Sequence, residues 1–212
     1  MENYAKRFEE AIGEARASGK RPRLLLHACC APCSSHCLEV LAEVYEITVF
    51  FYNPNIAPEE EHAFRLSELK RFVGEAGYRT VAIDTPEYDP APFEEMAKGL
   101  ESLPEGGERC RRCYALRLRR TAEAARDGGF DAFTTTLSIS PHKNAAWLNE
   151  IGLALSEEFG VPWLCSDFKK KDGYKRSIQL SAEYGLYRQD YCGCRFSREE
   201  RERKNREKAK AE

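Results

Sequence analysis

Patterns typical of buried strands alternate with helical patterns along most of this chain. Such an alternation predicts an α/β fold with a mostly parallel sheet flanked by helices, because parallel strands need long crossover connections. The 212 residues suffice for one domain of this kind to bury its own core. The predicted strands are 23–28, 47–52, 79–84, 130–136 and 161–165.

The two ends of the chain differ from its middle. Residues 1–22 predict an N-terminal amphipathic helix, residues 23–196 carry the alternating pattern, and residues 197–212 form a charged tail for which we expect a solvated or frayed helix. The start of the chain lacks the apolar stretch of a signal peptide, and no apolar run approaches the roughly 20 residues of a membrane helix. We therefore expect a cytoplasmic protein with no membrane partner.

Seven of the nine cysteines fall into three short clusters. Thiolates suit iron–sulfur clusters, zinc and copper(I), and a C-x-x-C segment at a helix start lets two sulfurs converge on one centre. In a cytoplasmic chain such clusters indicate metal ligands or redox groups more than structural disulfides. The clustered residues are Cys29, Cys30, Cys33, Cys110, Cys113, Cys192 and Cys194.

Seven thiols exceed the four that a [4Fe–4S] cluster takes. If Cys29 and Cys30 lie in an extended segment, their side chains point to opposite sides and serve two centres more easily than one. We therefore expect a cluster with a second metal beside it. A zinc site and the disulfides of a stress-exposed protein stay open as alternatives. Cys37 and Cys165 fit the core better than a metal site.

The carboxyl ends of parallel strands form the usual site of an α/β sheet. Cys29, Cys30, Asn53 and Asp167 lie at or just beyond predicted strand ends. The chemistry of the cysteines and the topology of the sheet thus indicate the same edge.

Basic and aromatic residues surround these motifs in a chain whose formal net charge is only −2. His142 and Lys143 lie at the start of a helix predicted over 141–159, and a helix N-terminus flanked by these two residues could bind a phosphate. A capped end with solvated charges is the alternative. A basic rim beside a redox centre favours a polyanionic substrate, and tyrosines near it could stack on a base. The rim includes Arg109, Arg111, Arg112, Lys169, Lys170, Lys171 and Arg176, and the tyrosines include Tyr114 and Tyr191.

Several of these segments together resemble the QueH family of epoxyqueuosine reductases. The similarity spans about 24–196, and the order of several specific motifs makes it far stronger than a lone C-x-x-C. The matching segments are HACCAPC at 27–33, YNPNI at 52–56, CRRCY at 110–114, TTLSISPHK at 135–143 and YRQDYCGC at 187–194.

The resemblance implies a fold, a reaction and cofactors. The fold is Rossmann-like, of the HUP or nucleotide-hydrolase type. The reaction converts epoxyqueuosine to queuosine at the wobble position of tRNA, and the family is similar in task, but not in sequence or cofactor, to cobalamin-dependent reductases. The cofactors are a [4Fe–4S] cluster and a separately bound, mononuclear iron. The expected partners are tRNA carrying epoxyqueuosine and an external electron donor of the ferredoxin or flavodoxin type.

We predict that the cluster is held by Cys30, Cys110, Cys113 and one of Cys192 or Cys194. The second iron would take Cys29, Cys33 and the remaining thiol, with Asp167 as a further ligand, so Cys29, Cys33 and Asp167 are the predicted catalytic residues. A Lewis-acidic iron would polarise the epoxide oxygen while the cluster supplies electrons singly. The predicted substrate contacts are Asn53, Tyr114, His142, Lys143, Arg176, Arg188 and Tyr191.

Two other functions compete with the reductase. One is an ATP-using tRNA thiolation or adenylating enzyme, which is weakened because no glycine-rich phosphate loop follows the first strand. The other is a zinc-stabilised RNA-binding module without catalysis. A brown colour after anaerobic purification would favour the reductase over both.

Overall fold

The computed structural model describes residues 2–210 and forms three layers, with a parallel sheet between two sets of helices. The four strands are β1 (Arg23–His27), β2 (Glu46–Phe50), β3 (Ala82–Asp84) and β4 (Ala132–Thr135), arranged in the order β3-β2-β1-β4. The helices are α1 (Tyr4–Ala17), α2 (Ala31–Leu41), α3 (Glu59–Glu75), α4 (Ala91–Ala97), α5 (Glu108–Asp127), α6 (Ala145–Phe159), α7 (Gly173–Glu183) and α8 (Arg195–Ala209), with a 3₁₀ helix over Thr136–Ile139.

The central strand β1 is buried on both faces, as expected of a parallel sheet covered on both sides. Leu24 and Leu26 point to one face and pack with α1, α2 and α3, whereas Leu25 points to the other face and packs with α5 and α6. Strand β1 pairs in parallel with both β2 and β4. The predicted α/β class, with a parallel sheet flanked by helices in a Rossmann-like arrangement, is confirmed.

The strand order creates a crevice at one edge of the sheet. From β1 the chain proceeds through β2 to β3 on one side, and β4 then pairs with the opposite side of β1. The connections that follow β1 and β4 therefore diverge at their carboxyl ends, which is where ligands bind in open α/β sheets. The segment after β1 begins with Ala28, Cys29 and Cys30, and the segment after β4 is the 3₁₀ helix.

The fifth predicted strand, 161–165, is wrong in extent. It contributes a single parallel bridge between Trp163 and Phe133. Pro162 has no N–H to donate, and the Leu164 carbonyl accepts from the Thr134 hydroxyl at 2.8 Å instead of from a backbone N–H of β4, so a longer ladder does not form. Strand β3 is also shorter than the predicted 79–84, and it lies half-exposed at the sheet edge.

Both terminal helices pack against the domain. In α1, Phe8 meets Phe168 edge-to-face with ring centroids 5.1 Å apart. Residues 197–209 of the predicted tail belong to a helix that starts at Arg195, so a boundary after Phe196 cuts through the first turn of α8, and residues 211 and 212 lie outside the described part of the chain. Both Phe196 and Ser197 are buried. Within residues 2–210, none of the helices combines the length and apolar character needed to cross a bilayer.

Candidate metal centre and substrate cavity

Three thiols converge where β1 turns into α2. Cys30 is the extended residue that precedes α2, and Pro32 occupies the first turn of that helix, where its missing N–H costs nothing. The sulfurs of Cys29 and Cys30 are 3.7 Å apart, and the three sulfurs of Cys29, Cys30 and Cys33 all lie within 4.8 Å of one another. Thiolates around one tetrahedral metal, with bonds of about 2.3 Å, lie about 3.8 Å apart. The trio is therefore spaced as metal ligands are.

The expectation that Cys29 and Cys30 point to opposite sides is wrong. The alternation of a strand ends at Cys30, because the chain turns there into α2, and both sulfurs then face the same point. The adjacency of these two cysteines is therefore no argument for two metals.

The thiols of this trio differ in acidity. Hydrogen bonds from Cys30 and Cys33 hold the pKa of the Cys29 thiol well below its usual range, with help from the positive charges of Arg117 and Lys143. The bond to Cys29 and burial raise the pKa of Cys30 to about 12. Cys29 is therefore the most acidic thiol of the trio, and the thiolate is the form that binds metal.

The remaining four clustered thiols come from α5 and from the segment before α8. The sulfur of Cys110 accepts a hydrogen bond from the Gly106 N–H at 3.3 Å, and the sulfur of Cys194 accepts one from the Ser197 N–H at 3.4 Å. Cys113 and Cys194 are buried in one small apolar cluster. Burial, and then the charge of Cys192, raises the pKa of both Cys110 and Cys194. These four thiols therefore lie near one another.

Lys143 connects the two groups of thiols. Its amine donates a hydrogen bond to the sulfur of Cys192 at 3.2 Å, although the side chain is only 9 % exposed. Burial opposes the positive charge, but the charges of Cys192, Tyr114 and Cys29 outweigh it and raise the pKa of Lys143 well above its usual range. Lys143 is thus a buried cation between Cys192 and Cys29.

His142 and Lys143 lie just before α6, which starts at Ala145 rather than at 141. The helix end is capped by Asn144, whose side chain accepts from the Trp147 N–H at 3.2 Å. A capped end is the alternative that the sequence leaves open here, and the anion site stays a prediction.

A second buried cation, Arg117, lies on α5 behind the thiols. Its guanidinium donates to the side-chain oxygen of Asn53 at 2.6 Å, and the Asn53 amide donates to the Ala28 carbonyl at 2.8 Å. Burial opposes the charge of Arg117, but Cys113, Cys29 and Cys192 outweigh it and raise its pKa.

Arg65 orients the Cys192-Gly193-Cys194 turn. Its guanidinium forms an ion pair with Glu61 at 2.7 Å, donates to the Cys192 carbonyl at 3.0 Å, and lies 5.3 Å from the ring centroid of Tyr191. Gly193 has φ +118°, and a Cβ there would come within 2.9 Å of the guanidinium. The turn therefore needs glycine between the two cysteines.

A cavity of about 670 Å³ opens above Cys29, Cys30, Cys33 and Cys192. Its size falls in the range of small-molecule sites, about 300–1,000 Å³. Its walls come from six segments of the chain, and polar side chains predominate in them. Besides the four cysteines, the lining includes Glu105, Ser140, His142, Lys143, Tyr174, Ser177, Arg188, Gln189, Asp190, Tyr191, Ser197, Glu200, Arg201 and Lys204.

The structure brings together part of the predicted site. The cavity is lined by His142, Lys143, Arg188 and Tyr191 among the predicted substrate contacts and by four of the predicted metal ligands, whereas Cys110, Cys113 and Cys194 lie behind it. The predicted residues that do not line it are Asn53, Tyr114, Arg176 and Asp167.

Each of these four has another environment. Asn53 and Tyr114 are buried. Arg176 makes a bidentate ion pair with Glu39, Nη2 with Oε1 at 2.6 Å and Nε with Oε2 at 3.1 Å, and Asp167 lies 2.7 Å from the amine of Lys169. Direct substrate contact through Asn53 is wrong for this conformation, because both polar groups of its side chain are already paired inside the protein.

Arg109 was also expected in a basic rim, and the structure places it inside the protein. Its guanidinium donates to the carbonyls of Leu100 and Glu101 at 3.0 and 2.9 Å and to that of Leu103. It therefore organises the loop that leads to Cys110 and cannot contact a substrate.

Sequence reasoning missed the contribution of α8. Ser197, Glu200, Arg201 and Lys204 line the cavity and follow the i, i+3, i+4, i+7 spacing of one helix face. That spacing was readable in the sequence, but the alternating charges of the segment favoured a solvated tail.

The donors present fit a thiolate-bound metal centre. Three thiols converge directly, a fourth lines the same cavity, and three more lie behind it beside Arg117 and Lys143. Arg65 Nη2 and Arg117 Nε are buried atoms without a partner among residues 2–210. Buried cationic groups facing soft sulfur donors suit an anionic metal–thiolate group.

Comparison with known proteins gives one consistent family. The family model described as epoxyqueuosine reductase QueH matches residues 24–200. The chain is 42 % identical to the epoxyqueuosine reductase QueH of Staphylococcus epidermidis over 200 residues, which cover 92 % of this chain and 84 % of that protein. It is 37 % identical to the QueH of Thermotoga maritima over 187 residues, covering 87 % and 94 % of the two chains. The chain belongs to the QueH family of epoxyqueuosine reductases.

Proposed function

We propose that this chain reduces epoxyqueuosine to queuosine at the wobble position of tRNA, using a [4Fe–4S] cluster and an adjacent iron held by its clustered cysteines. The observation that carries the proposal is the convergence of Cys29, Cys30 and Cys33 at the base of a 670 Å³ cavity whose wall includes Cys192. Family membership indicates the substrate, and the clustered thiols indicate redox chemistry at a bound metal.

The proposed ligand sets divide the seven thiols between two metals. Cys110, Cys113, Cys30 and one of Cys192 or Cys194 would hold the cluster, and Cys29, Cys33 and the remaining thiol would hold the iron. Because Cys30 lies within 4.8 Å of Cys29 and Cys33, this division makes the two metals neighbours. Asp167 would have to leave its pair with Lys169 to become a further ligand.

The reaction removes one oxygen atom from the substrate. Both carbon–oxygen bonds of the epoxide break, a carbon–carbon double bond forms, and two electrons and two protons convert the oxygen to water. The bound metals would supply the electrons and a Lewis acid for that oxygen. An external donor of the ferredoxin or flavodoxin type would restore the electrons.

The protein's part is to hold the modified base over the thiols. Tyr174 and Tyr191 line the cavity and offer ring faces to a base, and Arg188 lies 5.7 Å from the ring centroid of Tyr174. A flipped base would enter with its sugar and phosphate at the rim, where His142, Arg201 and Lys204 are located. Because tRNA is the substrate, we place the protein in the cytoplasm.

Anaerobic turnover tests the proposal. The purified chain, reconstituted with iron and sulfide, is incubated with epoxyqueuosine-containing tRNA and a chemical reductant, and the nucleosides are then analysed by mass spectrometry. We expect a brown protein that forms queuosine, and a Cys29→Ala variant that does not. A colourless protein that binds one zinc per chain and leaves epoxyqueuosine unchanged would support the zinc-stabilised RNA-binding module instead.

A further inference from the structure

Two buried cations at the thiols have no carboxylate partner among residues 2–210. Arg117 is 1 % exposed, and its side chain bonds to the neutral amide of Asn53. Lys143 is 9 % exposed and bonds to the sulfur of Cys192. A buried charge is costly unless an opposite charge lies near it. For these two residues, the opposite charges are the thiolates.

A third buried cation, Arg65, provides the contrast. It is equally buried, but its guanidinium forms an ion pair with Glu61 at 2.7 Å, so the pair contributes little net charge to the site. Arg117 and Lys143 therefore supply the uncompensated positive charge beside the sulfurs.

Asn53 fixes the position of one of these charges. Its amide donates to the carbonyl of Ala28, immediately after β1, so its side-chain oxygen must face Arg117. Arg117 is thus held against the turn that carries Cys29. Asn53 is a positioning residue: it acts through Arg117 and is closed to the substrate.

We propose that Arg117 and Lys143 raise the reduction potential of the metal centre by stabilising its reduced, more negative state. The inference rests on the proposed function, since it needs a redox-active metal at these cysteines. Each electron added to the centre adds one negative charge, and a fixed cation in a poorly hydrated environment stabilises that charge more than water would. Net charge and hydrogen bonds to the sulfurs are general determinants of cluster potentials.

An anaerobic potentiometric titration of the reconstituted protein, followed by visible absorbance or electron paramagnetic resonance, tests this inference without measuring turnover. Lys143→Met removes the charge with little change of length, and Lys143→Arg keeps it. We expect Lys143→Met to lower the ratio of reduced to oxidised centre at a fixed potential about tenfold, which is ~59 mV for one electron. Lys143→Arg should stay within about twofold of the parent protein.

Arg117→Met should shift the ratio of reduced to oxidised centre in the same direction, and Arg117→Gln, which also removes the charge but can keep a hydrogen bond to Asn53, serves if Arg117→Met fails to fold. Arg176→Met is the control, because Arg176 is paired with Glu39 and does not line the cavity; its ratio should not change. Equal potentials in Lys143→Met and the parent, with turnover intact in the parent, would overturn the inference and leave the proposed function standing. Failure of the parent protein to take up iron would overturn both the proposed cofactor and this inference.

Discussion

The hydroxyl of Ser197 donates a hydrogen bond to the carboxylate of Glu105 at 2.8 Å, joining α8 to the loop before α5. The same hydroxyl accepts a hydrogen bond from the Cys192 N–H at 3.0 Å, and the Glu105 N–H donates to Glu200 at 3.1 Å. The start of α8 therefore ties the segment that carries Cys192 to the loop that leads to Cys110.

Ser197→Ala removes this connection. We expect faster loss of iron to a chelator, by several-fold, and a fall of about 1 kcal/mol in the free energy of unfolding, because the half-buried Cys192 N–H and the exposed Glu105 carboxylate each lose a hydrogen bond. Chelator competition followed by absorbance measures the rate of iron loss, and urea unfolding measures the change in stability. Ser67→Ala, on the exposed side of α3, is the control. Parent-like iron retention in Ser197→Ala would show that the connection does not hold the site.

Cys113 and Cys165 are both buried, but only Cys113 belongs to the clustered thiols. Cys113→Ala should abolish the visible absorbance of the reconstituted protein and lower its iron content, because a cluster ligand is lost. Cys165→Ala removes a similarly buried thiol from the apolar core and should keep both. Iron and sulfide analysis per chain measures the difference. Retained absorbance and activity in Cys113→Ala would refute its assignment as a ligand.

Asn53→Ala should destabilise the protein by about 2 kcal/mol, because the buried Arg117 guanidinium loses one hydrogen bond and the buried Ala28 carbonyl loses the bond from the Asn53 amide. Urea unfolding measures this loss, and Asn205→Ala, on the exposed part of α8, should show none. A stable Asn53→Ala variant with weakened tRNA binding would instead support the substrate contact that the sequence predicts.

His27 should make the metal-free protein sensitive to acid. Burial, and then the charge of Arg117, lowers the pKa of His27 to about 3. The neutral ring is paired at both nitrogens, with the Tyr52 carbonyl at 3.1 Å and the Thr135 hydroxyl at 2.8 Å. The unfolded chain binds a proton near pH 6.5 and the folded chain does not, so stability is lost as the pH falls below about 6.5.

At pH 5 the proton taken up by His27 in the unfolded chain lowers the free energy of unfolding by about 2 kcal/mol. His27→Gln can keep both hydrogen bonds but does not titrate, so its loss of stability between pH 7 and pH 5 should be smaller than that of the parent by this amount. Urea unfolding at the two pH values measures it, with the exposed His142→Gln as the control. Identical pH dependence in His27→Gln and the parent would contradict the prediction.

Lys204 and Lys208 share α8, but only Lys204 lines the cavity. If Lys204 neutralises one phosphate of the tRNA, Lys204→Ala should reduce the slope of log affinity against log salt by about 0.7–0.9. Lys208→Ala should leave the slope close to that of the parent. Binding of unmodified tRNA between 50 and 200 mM salt, about the range in which such contacts weaken, measures both slopes. Equal slopes in all three proteins would remove Lys204 from the RNA contact.

The sequence determines much of this fold because its apolar patterns are local. The run Leu24-Leu25-Leu26 is buried on both faces of a central strand, and Pro32 marks the start of α2, so β1 and α2 are correctly predicted. The segment 161–165 has the same kind of pattern, but Pro162 lacks an N–H and the Leu164 carbonyl bonds to the side chain of Thr134, so its pairing with β4 stops at one bridge. A local pattern does not contain that information.

For the site, residue type predicts chemistry better than it predicts exposure. The cysteine clusters meet where the sheet topology indicates, because parallel strands end at one edge. Asn53 also follows a strand, but its side chain turns inward to Arg117, a partner 64 residues away in sequence. The sequence likewise predicts a surface charge at Arg109, whereas its guanidinium is buried and binds backbone carbonyls. Long-range partners of this kind appear only in the folded chain.

The distribution of the thiols along the chain sets the order in which this protein can mature. Cys29, Cys30 and Cys33 leave the ribosome early, whereas Cys192 and Cys194 follow all four strands. N-terminal segments begin to fold during synthesis, so the sheet can form before the last thiols emerge. The thiol set is complete only after all four strands have been synthesised, so the proposed metals can be fully bound only by a chain whose sheet can already have formed.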